Sequence, residues 1–214
     1  MAITHVPLPP ASRKQLEKAL IEIEKGDTAV AEALLVVALA KHPGHPRLLH
    51  GLGALQLRRG YFDLAAATLA EARAGLPASV ELLVCLSTAL ARNNQFVEAL
   101  TVLESAADQA RTIREWLLAG VAADQQGRHE LASLLATRAL APDPRHAQAL
   151  LLRARSAQVL GRIADAARDY RAAATQPGVA AKAWFALADL KTVKIEASDL
   201  SAMARVSNRD DLGL

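Results

Sequence analysis

A small turn residue recurs along the 214 residues of this chain at an almost constant interval. Its copies are Gly26, Gly60, Asn94, Gly127 and Gly161, so the successive intervals are 34, 34, 33 and 34 residues. One alanine lies five residues after each copy and another lies twelve residues after it, namely Ala31, Ala65, Ala99, Ala132 and Ala166, then Ala38, Ala72, Ala106, Ala139 and Ala173. Two alanines seven residues apart share one face of a helix, where they let a second helix approach closely. Each turn residue is therefore predicted to join two antiparallel helices.

Prolines predict where the second helix of each pair ends, because proline cannot continue a helix. This place is taken by Pro43, Pro77, Pro144 and Pro177, with Arg111 as the exception. The predicted pairs cover residues 12–43, 46–77, 80–111, 113–144 and 147–177, followed by a partial sixth repeat at 181–194 and a capping helix with its tail at 195–214. Residues 1–11 contain three prolines and are predicted to be a disordered lead-in, after which a capping box of Ser12 and Gln15 starts the first helix. The predicted fold class is all-α, because only 3% of the residues are aromatic and little sequence favours strands.

The first helix of several pairs carries a large residue, an apolar residue three positions later and a small residue directly after it. Examples are Leu49, Leu52 and Gly53, then Leu83, Leu86 and Ser87, then Trp116, Ala119 and Gly120, and finally Trp184, Leu187 and Ala188. Together with the interval, this pattern resembles the tetratricopeptide repeat family. The resemblance implies a right-handed solenoid of about five helix pairs with a C-terminal capping helix or helices. It also implies a concave groove, lined by the first helices, that binds a protein or peptide.

Composition and motifs argue against several other classes of protein. The chain is 52% apolar and 22% charged, and its longest apolar run, residues 33–40, is too short to cross a membrane. The N-terminal residues lack the pattern of a signal peptide, and the single Cys85 is interpreted as a buried hydrophobe, so a cytoplasmic location is expected. His42 and His45 lack a third ligand, so neither a metal nor another cofactor is predicted. Without a catalytic motif or stacking aromatics among its basic residues, the chain is predicted to be neither an enzyme nor a nucleic-acid-binding protein.

Seven basic side chains are predicted to line the groove and form the partner-binding site: Arg47, His50, Arg58, Arg92, Arg114, Arg155 and Lys182. Glu81, Asp124 and Asp189 are expected on the same surface. The basic excess favours an extended acidic peptide or a free carboxylate as the ligand. The alternative is that the arginines only solubilise exposed helices, and the net charge of +3 leaves both interpretations open.

The segment 183–195, with residues 198–200 after it, resembles the end of the repeat region in bacterial tetratricopeptide sulfotransferases. In that family a Trp-x-x-Leu-Ala-x-Leu-Lys-Thr run, matched here from Trp184 to Thr192, closes the solenoid. A catalytic domain follows it, whose Pro-Arg-Ser-Gly-Thr-type loop binds phosphoadenosine phosphosulfate. This chain contains no such loop. The resemblance implies a non-catalytic module that presents an acceptor to a sulfotransferase domain. The alternative is a free-standing adaptor or a secretion or assembly chaperone.

In a repeat array, the first helix of the last repeat has no following repeat to bury its outer apolar side chains, so another segment must cover them. Trp184 is therefore predicted to pack near Tyr170 and Ala173. A final helix that carries Leu200, Met203 and Val206 is predicted to fold over Leu187 and Leu190.

Overall fold

A computed structural model describes residues 7–176, 178–191 and 193–207 of the chain, without the side chains of residues 206 and 207. Within these ranges the chain forms twelve α-helices and no strand, in agreement with the predicted all-α class. The helices group into two compact units, Met1–Gln109 and Ala110–Leu214.

The N-terminal unit contains three antiparallel helix pairs in which each helix packs on the next. Their bounds are α1 Pro10–Lys25, α2 Thr28–Lys41, α3 Pro46–Arg58, α4 Phe62–Gly75, α5 Val80–Arg92 and α6 Phe96–Gln109. The C-terminal unit repeats the arrangement with α7 Ile113–Gln125, α8 His129–Leu140, α9 Ala147–Val159, α10 Ile163–Ala174, α11 Ala180–Asp189 and α12 Ala197–Ser207. The odd-numbered helices are thus the first helices of successive repeats.

The five recurring turn residues all adopt the left-handed backbone conformation. The φ angle is 89° at Gly26, 80° at Gly60, 62° at Asn94, 72° at Gly127 and 73° at Gly161. Glycine enters this region without steric cost and asparagine tolerates it better than most residues, which explains why only these two types occupy the position. The predicted turn positions are confirmed.

The recurring alanines form the contacts within the helix pairs. All ten are buried, with at most 1% of their surface exposed. Leu35, Leu69 and Leu103 lie nine residues after their turns and are fully buried. Gly53 provides a further close approach in the N-terminal unit, because a Cβ atom there would lie 2.5 Å from Cγ of Leu69.

The start of the first helix differs from its predicted start. Helix α1 begins at Pro10, and no side chain caps it, because proline at the first position has a suitable φ and no N–H that needs an acceptor. Ser12 is buried instead and its hydroxyl lies 3.0 Å from Nε2 of His42. The predicted capping box of Ser12 and Gln15 is therefore wrong, and the lead-in ends earlier than expected, with Leu8 buried in the core. Residues 1–6 of that lead-in lie outside the described residues.

A capping box does form at α7, where sequence reasoning had not placed one. The Thr112 hydroxyl accepts from the Glu115 backbone N–H at 3.2 Å, and the Glu115 carboxylate accepts from the Thr112 N–H at 3.0 Å. The Thr-x-x-Glu spacing is the signal that could have identified it.

The end of the array agrees with the prediction in part. Trp184 is buried in one core cluster with Tyr170 and Ala173, and Met203 packs against that cluster. Leu200 does not cover it, since 58% of its surface is exposed. The reason is an ion pair that sets the rotation of α12, in which Arg171 Nη2 on α10 donates to Oδ2 of the buried Asp199 at 2.9 Å. Three parts of the sequence predictions lie outside the described residues: Pro177, Thr192 and the side chain of Val206.

Candidate partner-binding site

A groove of the C-terminal unit lies along its first helices. It has a volume of about 670 Å³ and is lined by side chains of α7, α9 and α11, with Tyr170 of α10 at its base. Large apolar side chains are exposed in it: Phe185 by 77%, Val159 by 56% and Val121 by 44%. Exposure of this extent costs hydration free energy unless a partner covers the surface.

A buried carboxylate organises the polar side of this groove. Asp124 is 6% exposed and pairs with residues of two other helices: Nδ1 of His129 on α8 lies 3.0 Å from Oδ1, and Nε of Arg155 on α9 lies 3.1 Å from Oδ2. The Arg155 side chain remains 65% exposed. Its guanidinium can therefore also reach an acceptor on an incoming ligand.

The remaining polar groups of the groove have separate roles. The Tyr170 hydroxyl donates to Gln158 at 2.8 Å, and burial raises the pKa of this phenol, so it stays protonated at neutral pH. Lys182 on α11 lines the groove, is exposed, and makes no ion pair with any residue in the described part of the chain.

The predicted basic residues of the N-terminal unit fall in two other places. Arg58 and Arg92 line a cavity of about 520 Å³ with Phe62, and Cζ of Arg92 lies 4.8 Å from the centre of that ring, a cation–π contact. Arg47 lines a separate cavity of about 440 Å³ beside Arg13.

Two of the seven predicted residues are less suited to binding an acidic partner than the sequence suggested. His50 is only partly exposed, and burial lowers its pKa against the opposing effect of Glu81, so it adds no positive charge at neutral pH. Arg114 is exposed but does not line any of these cavities. All seven stay predictions, and the other five lie in three places: Arg58 with Arg92 in one cavity, Arg47 in another, and Arg155 with Lys182 in the groove of the C-terminal unit.

Sequence reasoning missed the apolar part of this groove. Phe185 and Val159 carry no motif, and only their place on the outer arc of a first helix distinguishes them from core residues. Plotting each first helix at 100° per residue, with its buried alanines as reference, could have identified them.

Two further observations concern the capacity of the described residues to bind a metal or to act as a nucleophile. No cluster of three or more metal-ligating side chains occurs among them. Burial raises the pKa of the Cys85 thiol to about 11, so this cysteine is a poor nucleophile at neutral pH.

Repeated helix pairs with a partly apolar groove define a helical-repeat protein of the kind that binds other proteins. The tetratricopeptide repeat family matches residues 16–80 and 151–190 of the chain. This match covers just under half of the chain, and the repeated helix pairs of both units have the fold of that family. No curated protein matches the sequence significantly.

Solved structures show the same fold at low sequence identity. A thermophilic tetratricopeptide repeat protein of Thermus thermophilus is 21% identical with a TM-score of 0.66, and the alignment covers 86% of this chain and 100% of that one. PilF of Pseudomonas aeruginosa is 17% identical with a TM-score of 0.67, covering 91% and 88%. PilW, a type IV pilus biogenesis factor, is 19% identical with a TM-score of 0.62, covering 94% and 88%. At these identities the likeness concerns the fold.

Proposed function

We propose that the chain is an adaptor that binds an extended segment of a partner protein in the groove of α7, α9 and α11. The observation that carries this proposal is the exposure of Phe185, Val159 and Val121 along one groove, each on a different first helix. Side chains that a soluble protein leaves uncovered in a concave surface are typical anchor points for a partner.

The polar groups of the groove define the ligand more closely. Arg155 pairs with Asp124 and keeps 65% of its side chain exposed, while Lys182 adds a second cation on α11. A carboxylate of the partner can accept from either group, while an apolar side chain next to it covers Phe185. The proposed ligand is therefore an acidic residue flanked by a large apolar residue. Of the seven basic residues predicted for the site, Arg155 and Lys182 are the two that favour an acidic ligand in this groove.

The assembly role is proposed from the fold neighbours. PilW is described as a pilus biogenesis factor, which favours an adaptor or assembly chaperone for this chain. The second candidate is the substrate-presenting region of a sulfotransferase, favoured only by the resemblance of the segment that carries Trp184 to the end of that family's repeats. The coding sequence beyond Leu214 separates the two candidates, because a phosphosulfate-binding loop there is expected only for the second.

A cytoplasmic location and the lack of a nucleic-acid partner stay part of the proposal. The single, partly buried Cys85 suits a reducing compartment. No helix in the described part of the chain is long and apolar enough to span a membrane.

The experiment is a selection of peptides from a random displayed library against the full chain, followed by affinity measurement with labelled peptides. We expect enriched peptides to combine an acidic with an aromatic or aliphatic residue. Phe185→Ser should weaken binding at least tenfold, because it removes the apolar anchor. Lys182→Ala should weaken binding less and reduce its dependence on salt.

Val97→Ser is the matched control, since Val97 is 79% exposed on α6 of the other unit. It should leave the affinity unchanged. Failure to enrich any peptide, or equal binding by Phe185→Ser and the parent chain, would overturn the proposed site.

A further inference from the structure

The outward face of α2 is apolar along its whole length. Six exposed residues form its central arc, and none carries a charged or hydrogen-bonding side chain: Ala29, Val30, Ala33, Val36, Val37 and Ala40. The exposed Glu32 lies beside this arc, where it pairs with Arg59. At 100° per residue the six residues fall within an arc of about 120° on a helix about 21 Å long. The valines contribute most of this surface, with Val36 57%, Val37 45% and Val30 40% exposed.

Other second helices show polar residues at the equivalent positions. On α6 the exposed face contains Glu98, Thr101, Glu104 and Asp108. On α10 it contains Asp165 and Arg168, whose side chains are 51% and 64% exposed. All three helices follow the same buried alanines, so their outward faces can be compared directly. The apolar face of α2 is therefore a property of this helix and not of the repeat.

The charges at the two ends of α2 favour a second copy of the same helix as the occupant. Asp27 caps its N-terminal end, where its carboxylate accepts from the Val30 N–H at 3.2 Å, and Lys41 is exposed in its last turn. When two copies run antiparallel, each Lys41 lies opposite the Asp27 of the other copy, and the helix dipoles oppose each other favourably. Parallel pairing would bring like charges together.

The apolar residues fit the same antiparallel arrangement. Around the midpoint of α2, Ala33 of one copy lies opposite Val36 of the other, and Ala29 lies opposite Ala40. Alanine facing valine or alanine lets the two backbones approach closely. The face is thus complementary to itself, as a two-fold symmetric interface requires.

We propose that the chain forms a homodimer through the antiparallel packing of α2 against α2 of a second copy. The short face places this interface at the small end of the range for specific association, so dimerisation in the micromolar range is expected. The surface is separate from the groove of α7, α9 and α11, and the proposal does not depend on peptide binding.

Sedimentation velocity of the full chain over a concentration series tests the proposal. The parent chain should change from monomer to dimer as its concentration rises through the micromolar range. Val36→Glu should raise the dissociation constant at least tenfold, because it places a charge in the apolar contact. Val97→Glu, which alters an exposed valine on α6, should dimerise like the parent.

Cysteine cross-linking tests the antiparallel register. A mixture of Ala29→Cys and Ala40→Cys chains should form mixed disulfides faster than either variant links to itself, because only the mixed pair brings the two thiols together. A parent chain that stays monomeric into the millimolar range overturns the proposal. Dimerisation unaffected by Val36→Glu would place the interface elsewhere.

Discussion

Both units bury the same pairs of alanines, but they differ in the polar groups that they enclose. Within the described residues, the buried polar side chains of the N-terminal unit are the neutral Ser12 and Ser87. The C-terminal unit buries three carboxylates, Asp124, Asp169 and Asp199, at 6%, 2% and 5% exposure. Each of these pairs with an arginine of another helix.

This difference shows that a repeat can keep its apolar contacts and change how its helices are oriented. In the N-terminal unit the close approach of Gly53 to Leu69 is purely steric. In the C-terminal unit Asp169 holds Arg153 of α9 through two hydrogen bonds, at 2.6 and 3.0 Å, and Asp199 holds α12 on α10. The stability of the C-terminal unit should therefore be more sensitive to charge and to pH.

The largest expected effect is the loss of a buried carboxylate. Asp169→Ala leaves Arg153 without its acceptor in a site that is largely closed to water, so the free energy of unfolding should fall by about 3 to 5 kcal/mol. Asp165→Ala is the control, because Asp165 is 51% exposed and pairs with Arg168 at the surface. It should change the free energy by less than about 1 kcal/mol. Urea denaturation of both variants measures the free energy of unfolding. Equal losses for the two variants would contradict the conclusion that buried carboxylates stabilise the C-terminal unit.

In the N-terminal unit, the close approach of α3 and α4 at Gly53 is the steric counterpart of these buried ion pairs. Gly53→Ala would place a Cβ atom 2.5 Å from Cγ of Leu69, and overpacking of this kind exceeds the gain in helix propensity, for a net loss of about 1 to 2 kcal/mol. At Gly51 the nearest atom is a terminal methyl, Cδ1 of Leu16 at 2.7 Å, which can move more easily. Gly51→Ala should therefore cost less. Thermal denaturation that ranks the two variants in the reverse order would show that backbone movement relieves the contact at Gly53.

A pH dependence should appear at the α12 contact. Hydrogen bonds from Arg171, with one from the Glu196 N–H, lower the pKa of Asp199 from its ordinary value of 3.8. The stabilisation is therefore complete above that value and is lost as the pH falls through the lower value of the folded protein.

Asp199→Asn measures this contribution. The variant should be less stable than the parent by about 1 to 2 kcal/mol at neutral pH, since Arg171 is partly exposed. The difference should shrink below about pH 4 as the parent's carboxylate is protonated. Hydrogen exchange of the α12 backbone amides reports on the same contact, because Asp199 holds α12 on α10. A difference that stays constant down to about pH 3 would mean that the charge of Asp199 contributes nothing.

The smallest effect is expected for an exposed pair of the N-terminal unit. Arg59 lies 2.9 Å from Glu32, and hydrogen bonding to Arg59 lowers the pKa of that carboxyl. Arg59 also donates to the Thr28 carbonyl at 3.1 Å, so it keeps a partner in Glu32→Gln. The melting temperature of this variant should match that of the parent within error. A clear loss would mean that surface charges contribute to both units alike.

The sequence by itself determined the repeat. The interval, the turn glycines and the paired alanines are local signals, because left-handed turns restrict residue type and helical period sets which residues share a face. These signals predicted the helix order and the buried alanine contacts. The start of α1 was missed because two local rules competed there, and proline at the first position prevailed over the Ser12 capping pattern.

Only the tertiary structure decided the chemistry of the candidate site. Arg155 and Asp124 are separated in sequence by the whole of α8, and their ion pair depends on how α7 and α9 are spaced. The sequence predicted both residues on one surface but could not show that one charge holds the other. The rotation of α12, which exposes Leu200, depends likewise on the reach of Arg171 from α10. A helix pattern encodes the direction of each side chain, whereas the distance between side chains on different helices exists only once the helices have packed.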